Sequence, residues 1–396
     1  MSATFHWDNG KDQLTLKDVG MKIKGQGSIE ALKKGFSVKF NKFVSGQYLY
    51  DMKKIGLKPG FDDNDVFVKN LLYSNLMRAT GGPTQRESYG LLYVNDFFYG
   101  LTILAEDIDE LFAQRRFPDG DDGAGSFFKM FYRVSMSYFG DDASYYQAQA
   151  KSTDMNTSLT FYNPVEDTPA AWADLIDFLR YFNDTAAGSS FEEKAEAVLD
   201  VPALLRNMVV ESFMMASDNL VHRNSYFLYH RHPAQTRGKT SSTSSSSSQW
   251  ALIYYDFDDV FCFCPYSSLV PCEESDVFLF FSQEKYIGDP AHFDPVLAGI
   301  FQSPKYTDQY VENYLALLEK VFGSDSKQQP RDRAARLGNF VSSWVARDRL
   351  WEISNGVTWE TFGVDLGYTL AHLDWRYQDA LKQLTAYQRT RALPRP

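Results

Sequence analysis

No apolar run in this sequence approaches 18 residues, so no segment is long enough to cross a bilayer as a helix. The opening stretch MSATFHWDNGKDQLTL has neither a basic start nor an apolar core, so no secretory leader is expected there. Cysteine is scarce. Cys262, Cys264 and Cys272 are the whole complement and lie within eleven residues, an odd, clustered set that is no disulfide framework. Zinc ligation with His222, His230 and His232 is one reading of that cluster, and buried free thiols are the simpler one. Positive charge is also short: 40 basic residues stand against 51 acidic ones, a net charge of −11. Such a surface repels phosphate backbones, so nucleic acid is not an expected partner, whereas basic peptides and metal ions are. The sequons at Asn156 and Asn183 matter only if the chain meets a glycosylating compartment.

Apolar and aromatic residues are plentiful, at 44% and 16%, which fits a folded chain and excludes a disordered one. A length of 396 residues is enough to bury a large core and to form two or three domain-sized units. Nothing in the composition speaks to oligomeric state.

The chemistry concentrates between Val209 and Phe261. There the sequence reads as an apolar helix ending at Asp218, a loop to Asn224, a strand from Ser225 to His230 and a second strand from Trp250 to Tyr255. That last strand runs directly into Asp256-Phe257-Asp258. Three short polar side chains, Asp218, Asn224 and Asp256, thus fall at the ends of buried elements. Protein kinases place a loop Asp by the attacking hydroxyl, an Asn a few residues on and a metal-gripping Asp at a strand end in the same order. Asp218 and Asp256 are 38 residues apart, but 19 of these (231–249) are polar filler, including the low-complexity tract Ser241–Ser248. Without the filler the separation is about that of a kinase. Asp at a strand end is also the ordinary residue of a turn or helix cap, so the rest of the chain has to arbitrate.

In chain order, residues 12–40 predict a glycine-punctuated hairpin that turns at Gly25-Gln26-Gly27-Ser28 and has Lys33, Lys34 and Lys39 close behind. Glycine lets backbone N–H groups approach a phosphate and lysine neutralises it, although such a turn is usually only a turn. Ile55–Lys58 reads as a strand. Asp65 caps an expected helix over 66–80, ended by Gly81-Gly82-Pro83. The segments 89–94 and 98–104 form a hairpin about Asn95-Asp96, leading to Glu106-Asp107-Ile108-Asp109. Beyond 111 the pattern is mainly helical. Short strands are expected at 127–129 and 145–151, and helices at 168–182, 191–197, from 200 toward 218, and at 308–321, 332–352 and 368–390.

The ordered set Lys22–Ser28, Lys33–Phe40, Leu57, Asp65–Arg78 with Gly82-Pro83, Leu92–Asn95 with Tyr99-Gly100, Glu106–Asp109, Asp218, Asn224–Tyr229, Trp250 and Asp256–Asp258 resembles the spore coat protein H (CotH) family of atypical protein kinases. The likeness covers about residues 20–261. It implies an α+β, kinase-like two-lobe fold, with a β-rich N-lobe over 1–110 and a mainly helical C-lobe over 111–396. It further implies transfer of the ATP γ-phosphate to protein serine with Mg²⁺ or Mn²⁺, in a secreted or surface-associated protein. Carried over by position, Asp218 is the catalytic acid–base and Asn224, Asp256 and Asp258 are the metal group. Glu106 lies where adenine would sit, and Gly25, Gly27 and Ser28 with Lys34, Lys39 or Lys58 lie at the phosphates.

Three positions depart from the family pattern: Tyr255 before Asp256, Phe67 with Lys69 at the helix start, and Gly-Gln-Gly-Ser in the glycine turn. Lys69 does not replace a guanidinium, because lysine lacks the planar fork. A pseudokinase or surface adhesion protein therefore stands as the alternative, and a metal-dependent hydrolase as a more distant one. The expected substrate is a basic, serine-rich protein. Residues 241–248 are either a target for self-phosphorylation or inert filler.

Overall fold

The computed structural model describes residues 1–25, 30–60, 66–117, 125–131, 134–150, 161–183, 190–217, 220, 225–231, 249–261, 275–281, 294–323, 329–356 and 358–392. The architecture is α+β, with a curled β lobe and a helical lobe. The β lobe comprises β1 (Ser2–Asp8), β2 (Gln13–Lys24), β3 (Gly35–Lys39), β4 (Lys54–Lys58), then helix α1 (Lys69–Thr80), β5 (Glu87–Val94) and β6 (Phe97–Glu106). Its strands pair antiparallel in the order β1-β2-β3-β4-β6-β5. Asn95 and Asp96 both take positive φ, the backbone a tight hairpin with right-handed strand twist requires.

The helical lobe opens with α2 (Glu110–Arg116). It continues through β7 (Phe127–Phe131), α3 (Ala143–Ala150), β8 (Phe161–Pro164), α4 (Pro169–Asn183), α5 (Phe191–Val198) and α6 (Val201–Met214). Strands β9 (Tyr226–Arg231) and β10 (Gln249–Tyr254) complete a second antiparallel sheet in the order β10-β9-β7-β8. Helices α7 (Pro295–Gln302), α8 (Pro304–Phe322), α9 (Pro330–Val345), α10 (Arg349–Asn355) and α11 (Trp359–Ala392) close the lobe.

Among the described residues three apolar clusters stabilise these lobes, one of them around Phe112, Phe127 and Ile253. Alternation along β3 and β4 sends Val38, Ile55 and Leu57 to one face of the large sheet, where they bury with Val19, Phe40 and Leu49. The principal core gathers α6, α8 and α11 with β9 and β10, and α1 joins it through Leu72, Leu76 and Met77. Helix α1 thus leans on the helical lobe as well as on the sheet above it. Tyr73 stacks on Phe257 at 4.2 Å and 8°, fixing the helix to the strand end that carries the paired acids.

Three expectations are corrected. Residues 143–150 are helical, not a strand. Asp142 accepts the Ser144 amide at 2.9 Å at the helix start, and the alanines favour helix over the apparent alternation. The single helix expected over 332–352 breaks at Asp348, whose side chain accepts the Trp351 amide and starts a new helix. The helix expected over 66–80 begins only at Lys69: Phe67 sits at φ +55° and the cap residue is Val68, without a side-chain bond. Asp65, the expected cap, lies outside the described residues, as do the three cysteines and the tract 241–248.

Candidate active site

Antiparallel pairing puts directly opposed residues on one face of a sheet. The pairs Lys24 with Gly35, Ser37 with Gly56 and Gly56 with Ala105 therefore define a face of small side chains and lysines, opposite the apolar core. A face of glycine, serine and alanine cannot fill a core, so it is left as the roof of a cleft over the helical lobe. Lys24 reaches across this face, and a Cβ placed on Gly56 would stand 3.4 Å from its ammonium nitrogen. Lys58 lies on the same face at the end of β4.

Lys58 is the hub. Its Nζ donates to Asn70 Oδ1 at 2.7 Å, lies 3.4 Å from Asp256 Oδ1 and 3.9 Å from Glu87 Oε1. Burial alone would lower its pKa, but the carboxylates of Asp258, Asp256 and Glu87 outweigh it and hold the group charged. Glu87 is buried and its carboxyl is pushed up by desolvation, offset by Lys58 and by the hydroxyl of Ser74, which donates to it. Asn70 and Ser74 come from the first turns of α1, so that helix sets where Lys58 points.

Below the roof, the chain leaves β10 and turns sharply at Asp256, whose φ of +66° is strained for a residue with a Cβ. Ser225, at φ +60°, lies beside it, and its carbonyl accepts the Tyr255 amide at 3.0 Å. The Asp256 carboxylate keeps 48% of its exposure while charged groups from both lobes surround it. Desolvation would raise its pKa; Lys58, Lys129 and Lys24 overcome that and hold it ionised. Asp258 is shifted the other way, raised by burial and by the neighbouring Asp256 charge, with Lys58 opposing. Lys129, on β7, completes the cluster. Its Nζ stands 4.4 Å from the Tyr255 ring centroid, and burial, then Lys24, lower its pKa to about 8.

Of the residues expected from sequence, Lys58, Asp256 and Asp258 are brought together. Gly25 stands at the end of β2 with φ +133°. The backbone of Lys34 is tied to the Tyr99 hydroxyl, its amide donating at 2.6 Å. Lys39 is exposed at the far end of β3, paired with Lys54. Glu106, opposite Ile55 on the core face, directs its buried carboxylate away from the lysines toward Arg86, Arg115 and Arg116. Asp218, Asn224, Gly27 and Ser28 lie outside the described residues. Lys24, Lys129, Asn70 and Glu87 were missed. The available signal was the alternation that places lysine and glycine, with no large apolar residue, on one face of β2 to β4.

Metal ligation rests on the donor set. Among the described residues no three of His, Cys, Asp or Glu stand close enough to hold an ion by themselves. Asp256, half exposed, and Asp258 supply a carboxylate pair, a hard oxygen set that suits Mg²⁺ or Mn²⁺ once further oxygen ligands join it.

A strand lobe, a helical lobe and a lysine–carboxylate cleft between them make this a kinase-like protein. Residues 21–355 match the family described as CotH kinase protein, and the chain belongs to that family. No curated protein matches it. Among the described residues, no helix is long and apolar enough to cross a membrane.

Proposed function

We propose that the protein transfers the γ-phosphoryl group of ATP to serine hydroxyls of protein substrates, with Mg²⁺ or Mn²⁺. The observation that carries this reading is the convergence of Lys24, Lys58 and Lys129 on Asp256, with Asp258 beside it facing Lys58. Lysines alone would suit any anion, and carboxylates beside them would repel it. The combination suits a polyphosphate that arrives with a divalent cation between it and the acids. That cation, held by Asp256, Asp258 and Asn224, would offset the charge that builds on the phosphoryl oxygens.

The protein's own groups do the positioning. Lys58, already aimed by Asn70 and Glu87, would take phosphate oxygens with little reorganisation. Lys24 and Lys129 would bind the same anion from the roof and from the helical lobe. The glycine turn at Gly25, Gly27 and Ser28 would cover it, with Lys34 and Lys39 adding positive charge to that lobe. Asp218, six residues before Asn224, would orient the serine hydroxyl and accept its proton late in transfer. Glu106, clamped by its three arginines, would fix the crossing from β6 to α2 that borders the adenine slot. Substrates would be basic and serine-rich, with 241–248 of this chain one candidate, and the activity would lie outside the cell or on a spore or cell surface, a reading supported by the family resemblance alone.

The test is thermal shift with ATP, with and without Mg²⁺ or Mn²⁺, followed by radiolabelled transfer to serine-rich basic peptides. Wild type should gain stability only when ATP and metal are both present, Asp256→Asn should lose that gain, and Asp218→Asn should keep it while losing transfer. No stabilisation at millimolar ATP with either metal would reject the kinase reading in favour of a surface-adhesion role.

A further inference from the structure

The family match ends at residue 355, and α11 lies wholly beyond it. Yet α11 drives Arg376 into the centre of the helical lobe, where it is fully buried. Its Nη2 donates to Ser212 O at 2.6 Å and to the Tyr314 hydroxyl at 3.1 Å, Nε to Phe213 O at 3.3 Å, and Nη1 to Ser275 O at 2.6 Å. Ser212 and Phe213 lie in the last turn of α6, where Ser212 O accepts the Met215 amide at 3.1 Å and has a second lone pair to fill, and where the carbonyls carry the negative end of the helix dipole. A guanidinium answers both needs at once.

The chain leaves that capped end through Met215, at φ +49°. The Ser217 amide then donates to Asp259 O at 3.1 Å, and the Leu220 amide donates at 3.3 Å to Glu211, a buried acid on α6 itself. The Ser217 amide is thus fixed to the acid-bearing strand end and the Leu220 amide to α6. Ser275 is where the described chain resumes after Phe261. Two turns further along α11, Gln383 donates to the same Ser275 carbonyl at 3.0 Å and accepts the Val277 amide at 3.0 Å.

We propose that Arg376 is a positioning residue for phosphoryl transfer, joining the exit of α6, whose Ser217 amide holds the Asp259 carbonyl beside the paired acids, to the chain at Ser275. This rests on the kinase reading above. The fork geometry is needed because lysine, with one nitrogen, can reach one of these chain ends but not both.

The full chain should be compared with Arg376→Lys and Gln383→Met, measuring kcat, the KM for ATP and amide hydrogen exchange. In the variants kcat should fall by at least about tenfold while the KM for ATP stays within about twofold, the pattern of a lost transition-state alignment. Exchange at Ser217 and Leu220 should quicken by about tenfold or more while β5 and β6 keep their protection. A folded Arg376→Lys with wild-type kcat and unchanged exchange at those two amides overturns the proposal. So does exchange that rises equally in both sheets, which would mark general loss of stability. Should Arg376→Lys not fold, Gln383→Met, which releases only the Ser275–Val277 side, decides by the same readouts. If wild type transfers no phosphate, the kinase reading fails, while exchange still decides whether Arg376 holds the loop.

Discussion

Lys129 and Lys58 both face Asp256, with opposite results. Lys58 is surrounded by Asp258, Asp256 and Glu87 and stays charged well beyond neutral pH. Lys129 is desolvated and crowded by Lys24, and its pKa falls to about 8. It carries its charge below that pH and loses it as pH rises through 8. ATP binding should therefore weaken between pH 7 and 9.5, with KM rising several-fold, and a bound phosphate should draw the proton back. In Lys129→Arg the rise should disappear, because a guanidinium stays charged throughout. Lys129→Met should have a raised KM at every pH, and Lys58→Met should bind ATP poorly with no new pH dependence. A wild-type KM that is flat across this range would remove Lys129 from the site. Only part of this cluster was legible in the sequence. Lys58 stood out at a strand end, the Asp pair stood out in Asp-Phe-Asp and Lys24 could have been read from the alternation of β2, but Lys129 needed the placement of a second sheet, which local alternation does not supply.

Elements far apart in sequence hold the cleft roof in place. Lys33, just ahead of β3, is buried against Asp348, the residue that starts α10, with Nζ and Oδ2 2.7 Å apart. The same ammonium donates to Leu101 O, and Asp348 also accepts the Leu101 and Trp351 amides. The Lys33 amide donates to Ser354 Oγ at 2.7 Å. Removing one partner of such a pair strands the other charge, so Asp348→Ala should cost about 3–5 kcal/mol of unfolding free energy. Lys33→Met should also destabilise strongly, and the double variant should lose clearly less than the sum of the singles. Denaturant unfolding of the four proteins decides it, and strict additivity would mean that the pair does not interact. This contact explains why the helix over 332–352 was read as continuous. Residues 332–352 keep helical periodicity, and the break is imposed by a partner more than 300 residues away. β1 was missed although its signal was present: Ala3, Phe5 and Trp7 alternate with polar residues and pack half-buried against the core of the β lobe.

At the scale of the whole molecule, local and global charge oppose each other. The cleft collects lysines that suit phosphate, whereas the chain as a whole carries −11. The mix of a strand-rich first part and a mainly helical remainder was legible from periodicity, whereas the two-lobe arrangement followed from the family resemblance. The acidic balance was legible directly, but not the way the lysines escape it by converging from two sheets. An acidic surface around a basic cleft has a kinetic consequence for the proposed reaction. Basic serine-rich peptides should be drawn to the protein by its long-range field, while the metal complex of ATP meets only the short-range field of the cleft. Raising ionic strength from about 0.02 to 0.3 M shortens the screening length several-fold and removes long-range attraction between exposed charges. The kcat/KM for a basic peptide should then fall by about tenfold, chiefly through KM, as steered encounters do. For an acidic peptide of the same length, kcat/KM should start lower and rise with salt. Peptide titrations at fixed, saturating ATP and metal would separate this from any salt effect on the nucleotide site. Equal salt dependence for the two peptides would mean that substrate choice is made by contacts within the cleft and not by the charge of the molecule.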